Sequence, residues 1–408
     1  MLSKMKNKDQ SRRKFITTGA LALTGLTAFG YQGLDLIEPA QTEKLRVGLI
    51  GTGSRGQGLA QTLSKVPDIE LVACCDIIDE NLKAGMKLAV KGARAYRDYK
   101  KLLEDKEIRA VIIATPLFLH HPMAIDALAA GKHVYTEKTM AYNIPQALDL
   151  VKKVERSNLV FQVGHQYRYY SMYLKVKEIL SKGWIGKVTH YECQYNRNAS
   201  WRKPVSDPKM ERAINWRMYK EYCGGLLSEL SAHEIDIVNW MEDSHPLKVA
   251  GFAGIDFWKD GRDTFDNIRL VYEYPNGVKS SVTSVLTNEY KGYSMRILGT
   301  KGTIEILRDR AFLYPETKIK TLGTVDGVTG ATVEVLPGGK GTPIVFDEEN
   351  PKLDPTVYAL RDFAECILKG RKPASNVKTG RDVAIAVHMG NLAAETEKTQ
   401  YWKEEYSV

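Results

Sequence analysis

Cysteine is scarce. Cys74, Cys75, Cys193, Cys223 and Cys366 are the five in 408 residues, and no Cys-x-x-Cys pair occurs among them. An odd count in so long a chain argues against a disulfide framework, the spacing offers no zinc site, and no metal is expected. Adjacent Cys74 and Cys75 point to opposite faces of an expected strand and read as core filler. A basic run interleaved with aromatics is also missing. The net charge is +9, but Lys4, Lys6, Lys8, Arg12, Arg13 and Lys14 against Asp9 put +5 of it in residues 1–14. The remainder is spread thinly, which argues against a nucleic-acid partner. No internal repeat is evident. The longest uncharged apolar stretch, from Phe15 to about Tyr31, is rich in Gly, Ala and Thr. It is thin beside the roughly 20 strongly apolar residues of a stable membrane span.

What is present divides the chain. With 43% hydrophobic and 26% charged residues, it can bury real cores. Its length suggests two domains. "SRRKFITTGALALTGLTAFG", Ser11–Gly30, sets two arginines before a small-residue apolar run. That order matches a signal peptide, and Ser-Arg-Arg-x-Phe-Ile resembles a twin-arginine signal. The twin-arginine export machinery is then a partner, the periplasm the destination, and an uncleaved anchor the alternative. Such export carries folded proteins, often with a cofactor inside. Residues 1–44 are read as signal and linker, 45–165 as a Rossmann domain, and 166–408 as a substrate-binding and oligomerisation domain.

"LRVGLIGTGSRGQG" sets Gly51, Gly53 and Gly56 between an apolar strand and a helix. In that context G-x-G-x-x-G is a dinucleotide site, with Ser54 and Arg55 inside it. Gly51 permits the turn, Gly53 lets a pyrophosphate approach, and Gly56 lets the helix pack close. The helix N-terminus offers free N–H groups to the phosphates. The strand "IELVACCD" ends in Asp76, placed to bind the adenosine ribose hydroxyls and repel a 2′-phosphate, so NAD is expected over NADP. Arg55 keeps NADP in view. Strands and helices then alternate through "RAVIIATP", "HPMAIDALAAG", "KHVYTEK", "PQALDLVKKVERS" and "LVFQVGH". That alternation predicts an α/β fold with a doubly wound parallel sheet. Its strand ends carry Thr115-Pro116, Glu137-Lys138 and Gly164-His165-Gln166.

These segments, with "TPLFLHHPMAIDALAAGKHVYTEKTMA", "VGHQYRYYSMYLKVKEILSKGWIGKV" and "GGLLSELSAHEIDIVNW", resemble the Gfo/Idh/MocA oxidoreductases over roughly residues 45–395. The resemblance implies a Rossmann domain followed by an α/β domain with a large, mainly antiparallel sheet. It also implies nicotinamide chemistry on sugars, cyclitols or related polyols. The family's Glu-Lys-Pro lysine falls on Lys138. Its Asp-x-x-x-His pair falls on Glu229 and His233, its trailing aspartate on Asp236, and the histidine after Thr-Pro on His120, near the cofactor. Thr139 stands in place of the usual proline and Glu229 in place of the usual aspartate. The first departure removes a φ constraint beside Lys138. The second moves a carboxylate by a methylene.

Oxidising an alcohol removes a hydroxyl proton as hydride leaves carbon. His233 fits the proton acceptor unperturbed, and Lys138 fits if burial lowers its pKa. If it stays charged, Lys138 instead stabilises the developing alkoxide. Read as one helix, "SELSAHEID" puts Glu229, His233 and Asp236 on one face. Against this stands an ordinary surface pair or a satisfied core histidine. His165 either reaches the site or caps its strand. Tyr167 and Arg168 are expected to line the cleft between the domains. Trp201, Trp216 and Arg217 offer ring faces and a cation to a sugar, or else pack beneath a loop.

Past Gly186, "KVTHYECQYN", "KVAGFAGIDFW", "NIRLVYEY", "VKSSVTSVLT", "YSMRILGT" and "GTIEILRD" read as strands, with a hairpin at Asn276-Gly277. Residues 324–342 read as a glycine-rich mobile loop or hairpin, and helices are expected near 355–369 and 379–396. In the family the outer face of this sheet often builds homo-oligomers. Three functions follow. One is an oxidoreductase acting on the CH–OH of a sugar, glycoside or polyol through tightly bound NAD. The second is an exported glycosidase using bound NAD in a redox-neutral cycle. The third is a non-catalytic ligand-binding protein.

Overall fold

Alternating strands and helices build a parallel sheet in the first half of the chain. The structure is a computed structural model that describes residues 44–316, 341–346 and 354–407. The leader, and the glycine-rich loop up to residue 340, lie outside the described residues. Strands β1 (Leu45–Ile50), β2 (Ile69–Cys75), β3 (Arg94–Tyr96), β4 (Ala110–Ile113), β5 (His133–Thr136) and β6 (Phe161–Val163) form one sheet in the order β3-β2-β1-β4-β5-β6. Every pairing is parallel. All four residues of β4 are buried, as expected of a central parallel strand covered on both faces. Cys74 and Cys75 enter the two cores on opposite sides of β2. Strand order reverses between β1 and β4, so a crevice opens at their carboxyl ends. The sequence places its glycine turn and its Thr115, Glu137 and His165 strand ends along that edge.

The second half forms a nine-stranded sheet. Its strands are β7 (Val188–Tyr195), β8 (Lys248–Gly254), β9 (Asn267–Glu273), β10 (Lys279–Val285), β11 (Tyr293–Gly299), β12 (Gly302–Leu307), β13 (Ala311–Pro315), β14 (Thr342–Pro343) and β15 (Gln400–Tyr401). The order is β14-β13-β12-β11-β7-β10-β9-β8-β15, antiparallel except where β7 meets β10. β9 shows the alternation that a half-covered sheet requires. Ile268, Leu270 and Tyr272 are buried, while Arg269 and Val271 are exposed. Asn276 and Gly277 turn the β9–β10 hairpin at φ 63° and 80°, a region that suits these two residues. Helices Ala232–Met241 and Val377–Thr396 cover the inner face. Tyr272 pins the second of them by donating to the Ala386 carbonyl at 3.0 Å.

Two elements depart from expectation. β8 stops at Gly254 instead of running on to Trp258. The Asp266 carboxylate accepts from the N–H groups of Asp256, Phe257 and Trp258, drawing them out of the ladder. The segment 228–236 is not one α-helix. Leu227–Ser231 is a π-helical turn, and the α-helix begins at Ala232. Among the described residues, no helix is long and apolar enough to cross a membrane.

Candidate active site

The glycine turn is built by close approach. Gly51 has φ +89°, and a Cβ there would lie 2.6 Å from the Ala114 carbonyl oxygen. A Cβ on Gly56 would lie 2.0 Å from the Gly51 carbonyl, so the helix Ser54–Leu63 rests directly on the turn. Gly53 differs. A Cβ there would meet nothing nearer than the Asn81 amide at 3.9 Å, so no protein contact demands glycine. The helix it precedes has no side-chain cap and no acid in its first turn, and Ser54 is exposed at its start. Open space over uncapped N–H groups fits a pyrophosphate. Asp76 closes the turn from the β2 side. It accepts from the Thr52 N–H at 2.8 Å and the Ile78 N–H at 2.8 Å. Oδ2 also accepts from the Thr52 hydroxyl at 3.3 Å, so Oδ1 is the oxygen that keeps a further lone pair for a ribose hydroxyl. These residues fit a dinucleotide without a 2′-phosphate.

Two residues assigned to the cofactor face elsewhere. Arg55 reaches across to Glu137 at the end of β5, with Nε 2.8 Å from Oε1. The pair spans the strand ends, and a Cβ on Gly164 would come within 3.0 Å of the same carboxylate. His120 is buried, and its two ring nitrogens lie 2.8 Å from the Thr139 carbonyl and 2.9 Å from the Thr115 carbonyl. Burial pushes its pKa down, and the neutral ring has one N–H, so it donates to one of these two carbonyls at a time.

Lys138 comes out at the end of β5. The peptide bond to Thr139 is cis. The Lys138 Nζ donates to the Ser228 carbonyl at 3.1 Å and the Glu229 carbonyl at 2.7 Å. Both carbonyls belong to the π-helical turn, where i→i+5 pairing alters which groups are free for outside donors. An ammonium has three N–H donors, so a third is left for an incoming oxygen. Burial lowers the pKa of Lys138, and the Glu229 and Glu137 charges oppose that shift.

Around this lysine stand two differently charged walls. Glu229 Oε2 accepts from Arg217 Nε at 2.7 Å, and the Arg217 guanidinium lies 4.1 Å from the centre of the Trp216 ring. Burial alone would raise the Glu229 pKa, but Arg217 and Lys138 outweigh it and hold the carboxyl below its ordinary value. His233 packs against Tyr167 with ring centres 4.7 Å apart and meets His165 edge-on at 6.4 Å. Burial, then the nearby Lys138 charge, drives its pKa well below 6.5, so its imidazole is neutral. His233 Nδ1 and His165 Nε2 are buried without partners.

Three residues assigned to the substrate make other contacts in this structure. Arg168 and Asp236 are both buried and paired with each other, Nε lying 2.9 Å from each carboxylate oxygen. Asp236 Oδ1 also lies 3.5 Å from His165 Nδ1. The pair thus supports His165 from behind instead of lining the cleft. Trp201 is half-buried against the second core. Its bland reading, packing beneath a loop, is the one its surroundings favour. The π turn breaks the single helix face, so Glu229 turns toward Arg217 while Asp236 turns into the core. Sequence reading missed Ser228, which is buried and donates to the Thr139 hydroxyl at 2.9 Å. It also missed Glu234, which is fully buried with both oxygens unpartnered, and whose pKa burial pushes up to about 8. Only the turn's register reveals the first. The second follows two residues before Asp236 and looks like any solvated helix acid.

Comparison with known proteins adds lineage. Residues 45–165 match the model of the GFO_IDH_MocA "Oxidoreductase family, NAD-binding Rossmann fold". Residues 173–305 match the "GFO/IDH/MocA C-terminal domain". The chain is 33% identical over 219 residues to Glycosyl hydrolase family 109 protein 2 of Shewanella sp. (strain ANA-3), covering 50% of this chain and 46% of that protein. It thus spans about half the length of that curated relative. It is 24% identical over 362 residues to scyllo-inositol 2-dehydrogenase (NAD(+)) of Bacillus subtilis (strain 168), covering 86% of this chain and 94% of that one. Among solved structures, levoglucosan dehydrogenase in complex with NADH and levoglucosan shares the fold. Its TM-score is 0.72 at 20% identity, covering 88% of this chain and 99% of that one. Matched by both domain models of one family over more than half its length, the chain belongs to the Gfo/Idh/MocA oxidoreductase family.

Proposed function

We propose that this chain is an NAD-dependent oxidoreductase acting on a CH–OH carbon of a sugar, glycoside or related polyol. One observation carries the reading. The Lys138 ammonium, at a strand end beside the dinucleotide turn, gives two N–H groups to backbone carbonyls and keeps its third for a substrate oxygen. NAD, when bound, supplies the hydride acceptor. Lys138 then stabilises the oxygen as its proton leaves, or takes that proton once burial has brought it to the neutral amine. His233, neutral and with an unpartnered nitrogen, is placed to hydrogen-bond a substrate, while its lowered pKa makes it a poor proton acceptor beside Lys138. Half-exposed Trp216 and Arg217 offer a ring face and a cation where the cleft meets water. Tyr167 packs beneath His233 and, with His165, fixes its ring.

The reading extends to location and assembly. Residues 1–30 direct twin-arginine export to the periplasm, which favours a cofactor loaded before export and kept. The outer face of the large sheet, where Phe252 is 73% and Val271 46% exposed, supports a homo-oligomer. The test is to purify the exported protein, take its absorption and mass spectra, and screen sugars and glycosides for change in the bound cofactor's absorbance. Cofactor-free protein with only millimolar affinity for NAD would end this reading. The likeness to a family 109 glycosyl hydrolase supports a second one, redox-neutral glycoside cleavage at the same site. Sugar release from chromogenic glycosides at substoichiometric NAD would favour it; visible NADH without release would favour the dehydrogenase.

A further inference from the structure

We propose that Ser228 is a positioning residue for Lys138, its hydroxyl latched to Thr139 so as to hold the backbone beside the lysine. The proposal rests on the role given to Lys138 above. Proline at position 139 would restrict the backbone by itself. Threonine does not, and this chain holds it by contacts instead. The Thr139 carbonyl faces His120 Nδ1 at 2.8 Å, and the Thr139 hydroxyl accepts from the Ser228 hydroxyl at 2.9 Å. All three residues are at most 2% exposed.

Ser228 holds the neighbouring residue too. Its carbonyl accepts from Lys138 Nζ at 3.1 Å, beside the Glu229 carbonyl at 2.7 Å. One residue of the π-helical turn therefore fixes both the ammonium of Lys138 and the side chain that follows it, 89 positions away along the chain. Room for this is made by Gly224, where a Cβ would lie 2.6 Å from Ser228 Cβ. Losing the latch frees residue 139 to shift, and with it the direction of the third N–H. Misplacement of a reacting group by about 1 Å costs on the order of 100-fold in rate.

The test is a double-variant cycle on the full chain loaded with NAD: Ser228→Ala, Thr139→Val, and the two together. Two readouts are taken. One is the pH dependence of Lys138 acetylation by acetic anhydride, followed by peptide mass spectrometry, which requires no substrate. The other is kcat and KM on whichever sugar the cofactor screen identifies. Each single variant is expected to shift the labelling profile of Lys138 and lower kcat by about 10- to 100-fold with KM little changed. The double variant should be no worse than either single one, because the same bond is lost from both ends. An unchanged labelling profile, or losses that multiply, would overturn the latch. If Ser228→Ala does not fold, Thr139→Val removes the same bond with a side chain of equal shape and decides the matter. A shifted profile together with full turnover in Lys138→Ala would leave the latch standing and remove the function assigned to the lysine.

Discussion

Mild acid should destabilise this protein, and its buried histidines set the window. His233 is held neutral by burial and by the Lys138 charge, with its pKa well below 6.5. Burial also lowers the pKa of His120, His165 and His388, against opposition from backbone carbonyls or, for His165, from Asp236. The sign follows. Below pH 6.5 the unfolded chain binds protons that these folded imidazoles refuse, so stability is full above pH 6.5 and falls as pH drops toward the folded pKa values. One such group contributes a loss of about 1 kcal/mol between pH 6.5 and 5.5, and four together up to about 4 kcal/mol. Glu234 works the other way. Its pKa of about 8 means that its stabilisation is present at low pH and is lost as pH rises from the ordinary carboxylate range to 8. Over the same unit it returns about 1 kcal/mol, leaving a net loss of at most about 3 kcal/mol against a typical total of about 5–15 kcal/mol.

Urea unfolding of the cofactor-free protein at half-unit steps from pH 7.5 to 5.5 measures this slope directly. The controlling variant is His388→Gln. His388 Nε2 lies 2.9 Å from the Ala141 carbonyl, and a glutamine amide can keep that contact without titrating. The variant should lose up to one proton of slope while its stability at pH 7.5 moves by less than about 1 kcal/mol. A flat profile from pH 7.5 to 5.5, or stability that rises on acidification, would refute the reasoning.

Other perturbations separate the parts of the site. Arg217→Met leaves the Glu229 carboxylate without its main partner. Because Arg217 is 37% exposed, water covers part of the loss, and the cost should be about 1–2 kcal/mol, below the 3–5 of a fully buried pair. That gap in urea stability should be full above pH 4.5 and close as pH falls through the lowered pKa of Glu229. Gly56→Ala drives a methyl into the Gly51 carbonyl, so it should cost at least about 1–3 kcal/mol in thermal unfolding and weaken NAD binding in calorimetry. Asp76→Ser tests the ribose contact proposed for this carboxylate: the Kd for NAD should rise about 10-fold while that for NADP rises less.

The fold was largely legible because its signals are local. Strand and helix periods, the glycine turn and the Asn276-Gly277 hairpin each depend on a few neighbouring residues. β8 was overread for the opposite reason. Its continuation to Trp258 looks like a strand, and the competitor, the Asp266 carboxylate, sits eight residues beyond that point and captures the backbone from outside.

The site was legible by residue type and misread by direction. Lys138 lies near enough to His233 for its charge to lower the histidine's pKa, but Arg55, His120, Arg168 and Asp236 carry the same side chains whether they face a ligand or one another. Only the fold supplied the partners Glu137, Thr139 and His165 that settle their orientation. The π turn was invisible for a stricter reason. Spacing of four reads as one α-helical face, and nothing within 228–236 specifies i→i+5 pairing. What favours it lies 90 positions earlier: an ammonium that takes the Ser228 and Glu229 carbonyls. The register of that turn is thus a property of the lysine and the turn together. Replacing Lys138 with Met should therefore change the turn as well as the chemistry, visible as faster amide hydrogen exchange across 227–233, whereas unchanged protection would mean that the turn keeps its register unaided.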